Sequence, residues 1–309
     1  DEAKQWIEAM TQELKSMKEN EVWKLVERPK DRKVIKTRWV FKKKTGPNGD
    51  LIYKPRLVAR GLVQERGLDY EDTFSPVVRF ETVRVLMALA VKNRLLVHQM
   101  DMVTAFLNGV IEEEVFVEQP PGYEAEGKKK SWVCLLNKSL YGLKQAPRCW
   151  NRALATSMKM RFQMSALDNC LFIREGTFVV IYVDDLLILS KSFEELDQVK
   201  KQISSEFKSK DLGEARSFLG ITFRQGRDMI HLSQREYAEK ILTRAQMLNC
   251  NPAITPSAVT LRFTDNKVGE TINQSEFRSL IGALLYLATK TRPDRSEEHT
   301  SELQSLLII

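Results

Sequence analysis

Apolar residues recur at helical spacing at the start of the chain, where Trp6, Met10, Leu14 and Met17 stand four, four and three apart. The opposite face is rich in Glu and Lys, so the pattern predicts an amphipathic helix. From Lys33 to Arg60 the pattern turns extended. Val34-Ile35 and Arg38-Trp-Val-Phe41 lead into the turn signal Gly46-Pro-Asn-Gly-Asp50, and Leu51-Ile-Tyr53 and Arg56-Leu-Val-Ala59 follow. This predicts a β-hairpin with Lys42, Lys43 and Lys44 beside its turn and Lys54 and Arg56 on the return strand. Helical spacing returns over residues 82–93, with Val83, Leu86 and Ala90 on one face, and residues 95–100 then read as a strand that ends in Asp101.

Pro120-Pro-Gly122 and Gly127-Lys-Lys-Lys130 mark a loop. A helix opens at Pro147, a favoured first helical position, and turns Trp150, Leu154 and Met158 inward. Residues 178–189 carry the strongest strand signal in the chain. Ser192 with Glu195, and Ser233 with Glu236, have the spacing of capping boxes that start two further helices. The first buries Leu196, Val199, Ile203 and Phe207, and the second Tyr237, Ile241, Ala245 and Leu248. Pro252 and Pro256 interrupt the chain before a last helix that buries Phe277, Leu280/Ile281, Leu284 and Leu287. No internal repeat is present. The expected class is α+β, a palm-like layer followed by a helical C-terminal portion.

Composition narrows the field. The 309 residues are 43% hydrophobic and 29% charged, which excludes a wholly disordered or collagen-like chain. No apolar run approaches the roughly 20 residues that span a bilayer, and no signal-peptide pattern opens the sequence. Without an initiator Met, it reads like a piece of a longer open reading frame. Cys134, Cys149, Cys170 and Cys250 form no CxxC pair and there are three histidines, so a structural zinc site is not expected. Scattered cysteines fit a reducing compartment. The formal net charge is +7, but residues 28–60 alone hold twelve Lys/Arg against Asp31 and Asp50, leaving the remainder at −3. Such a stripe suits a polyanionic partner, with a solvated surface as the plainer alternative.

The candidate chemistry lies in Phe178-Val-Val-Ile-Tyr-Val-Asp184-Asp185-Leu-Leu-Ile-Leu189. Flanks apolar on both faces should be buried, and the hairpin is expected to bend at Asp184-Asp185. Adjacent carboxylates beside buried strands repel each other unless a cation neutralises them. A hard divalent ion bound by oxygen is the natural partner. A plain turn is the alternative, although two-residue hairpin loops favour Asn-Gly or Asp-Gly. Asp101 can supply a third carboxylate, and three such groups from two strands suffice to cage two metal ions about 4 Å apart for in-line phosphoryl transfer.

In its motifs the chain resembles the reverse transcriptases of copia-type LTR retrotransposons from Trp6 to about Asp294. The matching landmarks are Trp39-Val-Phe-Lys, Lys54-Pro-Arg-Leu-Val-Ala-Arg-Gly61, Thr73-Phe-Ser-Pro76, Gln99-Met-Asp101, Glu118-Gln-Pro-Pro-Gly-Tyr123, Lys138-Ser-Leu-Tyr-Gly-Leu-Lys-Gln-Ala-Pro-Arg148, Tyr182-Val-Asp-Asp185 and Phe218-Leu-Gly-Ile221. Their order and spacing carry the resemblance, since Tyr-x-Asp-Asp alone is weak.

The resemblance implies a right-hand polymerase: an N-terminal helical extension (1–32), fingers (33–97 and 118–149), palm (98–117 and 150–227) and thumb or connection (228–294). It implies RNA-directed DNA synthesis, with Asp101, Asp184 and Asp185 holding two Mg2+ ions, or Mn2+. The incoming dNTP would meet Lys54, Arg56, Gln145 and the steric gate Phe106. Primer and template would meet Tyr182 and the primer grip Phe218-Leu219-Gly220. The implied partners are an RNA template and a DNA or tRNA primer, in the cytoplasm or nucleus. Ribonuclease H, integrase and protease segments are not recognised here. Pro55 and Met102-Val103 depart from the usual motif but leave every acid intact. Residues 295–309 resemble translated sequencing adapter with read-through, and are set aside as a tail foreign to the fold. Two other readings stand beside this one: a catalytically inactive nucleic-acid-binding remnant, and a two-metal nuclease, which draws its acids from more dispersed elements.

Overall fold

The computed structural model describes residues 2–45, 49–127, 131–251 and 273–295. The chain divides into two compact units, Asp1–Ala215 and Arg216–Ile309. The Gly46-Pro-Asn48 part of the basic turn, Lys128–Lys130, Pro252, Pro256 and the tail beyond Arg295 lie outside the described residues.

The first unit opens with α1 (Glu2–Glu19), β1 (Trp23–Glu27), β2 (Val34–Ile35), β3 (Thr37–Thr45) and β4 (Leu51–Ala59). Next come α2 (Phe80–Asn93), β5 (Leu96–Met102), β6 (Phe116–Val117), β7 (Trp132–Leu136) and α3 (Ala146–Lys159). It closes with β8 (Gln163–Met164), β9 (Leu171–Arg174), β10 (Thr177–Tyr182), β11 (Asp185–Ser190), α4 (Phe193–Glu206) and β12 (Ser209–Glu214). The α+β class is as expected.

A six-stranded antiparallel sheet of order β12-β5-β11-β10-β9-β8 forms the centre of this unit. Trp150, Leu154 and Met158 of α3 and Leu196, Val199 and Ile203 of α4 share one core with sheet residues such as Met100, Ile181 and Ile188. As expected, the apolar hairpin is buried on both faces: Val179–Ile181 and Leu186–Leu189 are each no more than 2% exposed. A second core, including Met17, Ile35, Leu57, Val117, Leu136 and Leu140, lies beside the sheet β1-β7-β6-β2. The hairpin β3–β4 stands as a separate two-stranded ribbon. Pro55 costs that ribbon no ladder bond on a further strand, because β4 pairs with β3 alone.

Helix ends show which local signals prevailed. Ser192 caps α4 by accepting the Glu195 backbone N–H, whereas the Glu195 carboxylate turns to Ser190 and Thr177 instead of closing the box. Helix α2 starts at Phe80, two residues before the periodic face, because Asp168 accepts from the Arg79 N–H at 3.0 Å and the Thr82 hydroxyl at 2.6 Å. A carboxylate from a distant loop thus satisfies donors at that terminus.

The second unit holds β13 (Ser217–Phe218), β14 (Ile221–Gln225), β15 (Ile230–Ser233), α5 (Arg235–Arg244) and α6 (Gln274–Lys290), the strands forming one sheet of order β13-β14-β15. Two expectations are corrected here. The N-cap of α5 is Gln234 rather than Ser233, whose hydroxyl accepts instead from the Arg235 N–H. The helix ends before Ala245 and Leu248, and Leu248 is exposed. Helix α6 forms with Asn273 as its cap, yet Phe277 and Leu284 are exposed and Ala288 is its buried residue. Periodicity located this helix but could not specify which face it covers. The Phe218–Gly220 turn is grouped with these elements, because the division falls between Ala215 and Arg216. Among the described residues no helix is long and apolar enough to cross a membrane.

Candidate active site

The acidic site is built by strand register. In the β5–β11 ladder Asp185 stands directly opposite Asp101, and directly opposed residues have Cβ atoms about 4.5–5.5 Å apart. Asp101 lies within β5, which continues to Met102, and not at its end. The turn is also displaced from expectation. Tyr182 pairs with Asp185, so the two-residue loop is Val183-Asp184, and Asp185 is already the first residue of β11. Pairing with Asp101 of β5 draws Asp185 into the strand and leaves Asp184 in the loop.

Val183 is left-handed, at φ +54°. For a β-branched side chain this is a backbone outlier, costing about 1–3 kcal/mol that the surroundings must hold in place. Thr104, at φ +54°, has the same conformation just past Asp101 and Met102. Val183 and Thr104 are the β-branched residues with positive φ among the described residues, and both adjoin the carboxylates.

The electrostatics follow from this crowding. Burial, then the Asp184 charge, pushes the Asp101 carboxyl above its ordinary range. Burial also pushes Asp185 up, with Asp184 and Asp101 adding to the effect. A hydrogen bond from the Gln99 amide at 3.2 Å opposes that rise. The Lys54 ammonium is pulled down by desolvation and by Arg56 and Lys44, while Asp101 and Asp184 hold it up. Cations and carboxylates therefore sense one another across the site. A donor set made wholly of carboxylate oxygen fits a hard divalent cation in kind. Among the described residues no three His, Cys, Asp or Glu side chains are gathered closely enough to hold a metal ion. The turn carries Asp184 while the ladder holds Asp101 and Asp185.

The remaining expected residues separate into three kinds. Lys54 and Arg56 lie on β4 as foreseen, Lys54 exposed and Arg56 with its guanidinium 4.6 Å from the Tyr141 ring centre. Phe106, half-buried in the short 3-10 helix Ala105–Asn108, lies tilted against Tyr141, with ring centres 5.1 Å apart. Tyr182 is half-buried at the end of β10. Gln145, by contrast, is 1% exposed and occupied: it accepts from Gln64 at 3.0 Å and donates to the Asp69 carbonyl at 2.7 Å. It braces two segments against each other. Phe218-Leu219-Gly220 forms a tight turn in the second unit with Leu219 at φ +53°, and the Tyr286 hydroxyl donates to the Leu219 carbonyl at 2.5 Å.

Sequence reasoning missed Tyr141 and Glu13. Tyr141 lies between Arg56 and Phe106, and burial raises its hydroxyl to about 12, so it stays protonated. It is pinned there because Gly142 and Gly61 let the chain segments touch: a Cβ on Gly142 would lie 2.2 Å from the Ala59 carbonyl oxygen. The Ala59 N–H donates to the Tyr141 carbonyl at 2.8 Å. Its motif was visible in the sequence, but its contacts were not. Glu13 of α1 is raised by burial against the pull of Arg56 and Lys54, and its Oε1 has no hydrogen-bond partner. A lone Glu on a helix gave no signal of that role.

Comparison with known proteins agrees with the motif order. The reverse transcriptase (RNA-dependent DNA polymerase) family profile matches residues 20–259. The chain is 39% identical over 308 residues to the retrovirus-related Pol polyprotein from transposon TNT 1-94 of Nicotiana tabacum, covering 95% of this chain and 23% of that one. It is 37% identical to the corresponding polyprotein from transposon RE2 of Arabidopsis thaliana, over 94% of this chain and 20% of that one. A solved foamy viral protease–reverse transcriptase in complex with double-stranded DNA aligns with a TM-score of 0.43 at 12% identity, covering 91% of this chain and 40% of that one. The chain belongs to the reverse transcriptase family. Within that family its relatives are the Pol polyproteins of copia-type retrotransposons, of whose length it spans about a fifth to a quarter.

Proposed function

We propose that the chain is an RNA-directed DNA polymerase, a nucleotidyltransferase that extends a DNA or tRNA primer on an RNA template from dNTPs. The observation that carries this reading is the register that sets Asp101 opposite Asp185, one residue past Asp184, on strands buried on both faces. Asp101 and Asp184 would be the main holders of two Mg2+ ions, with Asp185 the third acid. When bound, the ions lower the barrier to attack by the primer 3′-hydroxyl and neutralise charge on the triphosphate. The chain's own groups do the rest. Lys54 supplies a point charge and Arg56 a planar fork for phosphate oxygens. Tyr141 holds the Arg56 plane by stacking beneath it. Phe106, backed by Tyr141, presents a ring where a 2′-hydroxyl would collide. Phe218-Leu219-Gly220 would steady the primer end.

The test is primer extension on a defined RNA template with Mg2+ and dNTPs. The unmutated chain is expected to extend the primer. Asp184→Asn should abolish extension while template binding persists, and Phe106→Ala should admit ribonucleotides. An unchanged dNTP/rNTP preference in that variant would remove the gate. A second reading, a nucleic-acid-binding remnant without catalysis, draws support from the lack of a gathered three-acid group among the described residues. Template binding by the unmutated chain with no extension would decide for it.

A further inference from the structure

The left-handed Val183 needs something to hold it, and the structure supplies two bonds. The Met102 N–H of β5 donates to the Asp184 carbonyl at 2.7 Å. From the other side, the Trp150 indole N–H donates to the Val183 carbonyl at 2.6 Å. Trp150 is 1% exposed and stands edge-on to Phe207, with ring centres 5.2 Å apart, so its indole has little freedom to swing away. Helix α3 is itself fixed beside the 3-10 helix that follows Asp101: a Cβ on Gly109 would lie 2.6 Å from the Trp150 backbone nitrogen. The indole is thus locked at its base and at its ring edge, and its one donor meets the loop between the two strands that carry Tyr182 and Asp185.

We infer that Trp150 is a positioning residue whose indole N–H holds the Val183-Asp184 loop in its left-handed form and so sets where Asp184 and Asp185 stand relative to Asp101. The role is not one of packing alone. A phenylalanine would fill most of the same space and keep the edge contact with Phe207, yet it would leave the half-buried Val183 carbonyl without its donor. The loop would then relax toward conformations that a β-branched residue prefers, taking Asp184 with it. The inference deepens the polymerase reading and its kinetic arm rests on it.

The experiment compares the full chain, Trp150→Phe, Val183→Gly and the double variant. Trp150→Phe should lower kcat for primer extension by about tenfold to a hundredfold, the range expected when reacting groups are misplaced by a fraction of an ångström to one ångström. The dNTP KM should change little, while the thermal midpoint falls by several degrees from the lost bond. Glycine adopts positive φ freely, so in the Val183→Gly background the same loss of the N–H should cost no more than about a third of that factor. Equal losses in both backgrounds, or an unaltered kcat in Trp150→Phe, would overturn the inference. If the unmutated chain extends no primer, the polymerase reading fails and hydrogen exchange decides this one. A Trp150 indole proton that exchanges slowly upholds the clamp, and one that exchanges as fast as an exposed indole removes it.

Discussion

Two hairpins carry the candidate chemistry, and they are built to opposite designs. The acidic one, β10–β11, is the middle of a six-stranded sheet, and its charges are confined to the loop and the first residue beyond it. The basic one, β3–β4, is a two-stranded ribbon whose β3 is largely exposed and whose cations are spread along both strands. In the proposed polymerase, carboxylates sharing a cation would have to be fixed to a fraction of an ångström, which strands that cannot shift without opening a core provide. Cations grasping a flexible triphosphate would need reach more than placement, which an exposed ribbon provides.

The strongest test of this contrast is Asp101→Asn. It should lower extension by more than about a hundredfold, since even a group that only supports a metal ligand is worth about 10–100-fold. The same change should stabilise the metal-free fold at neutral pH. The Asp101 carboxyl is raised in the folded chain by burial and by Asp184. A raised acid favours folding below its unfolded pKa and loses that contribution as pH rises through the folded value. At pH 7 the ionised group therefore opposes folding, and its removal raises the thermal midpoint measured in a chelator. Near pH 4 the gain should vanish. A midpoint that falls at pH 7 would mean that the acidic hairpin is not held against charge repulsion.

Arg56→Ala tests the basic hairpin and should act on binding alone. Loss of a charge-assisted fork to phosphate is worth about 1.5–3 kcal/mol, so the dNTP KM should rise at least about tenfold while the thermal midpoint stays within a few degrees. A fall in kcat with unchanged KM would show that Arg56 acts on the carboxylates through the chain and not on the triphosphate.

The two hairpins also differ in how far the sequence revealed them. Runs of strand-forming residues beside turn signals located β3 and β4, and runs apolar on both faces located β10 and β11. The acidic loop was misplaced by one position, since the two apolar runs flanking Asp184-Asp185 pointed to a bend there while Asp185 is held in register by β5, over eighty residues earlier. Gln145 was read from its motif as a nucleotide contact. Its buried bonds to Gln64 and Asp69 depend on a segment more than seventy residues away. Trp150 gave a helix-face signal and was correctly placed in the core, but a single indole donor reaching a carbonyl has no periodicity. In the second unit, α6 was legible as a helix and illegible as a surface: amphipathic spacing names an apolar stripe, not what the fold lays against it. What a residue does within its own element was readable, and what it does across elements was not.

The smallest expected effect lies at the ribbon's outer end, where Glu2 and Lys43 stand 2.6 Å apart. The pair perturbs both groups. Lys43 pulls the Glu2 carboxyl below its ordinary value, and Glu2 holds the Lys43 ammonium up. Both side chains are exposed to water, at 42% and 63%, where solvent and salt screen the attraction and ordering two long side chains offsets the rest. The contact that fixes α1 to the ribbon is instead aromatic: Trp6 stands edge-on to Phe41 at 4.9 Å and to Tyr53 at 4.8 Å. Glu2→Gln should therefore leave the thermal midpoint unchanged from low to high salt, and the dNTP KM with it. If Glu2→Gln instead raised KM as much as Arg56→Ala, a screened ion pair would be setting the ribbon's position. The basic hairpin would then depend on exact placement as much as the acidic one does.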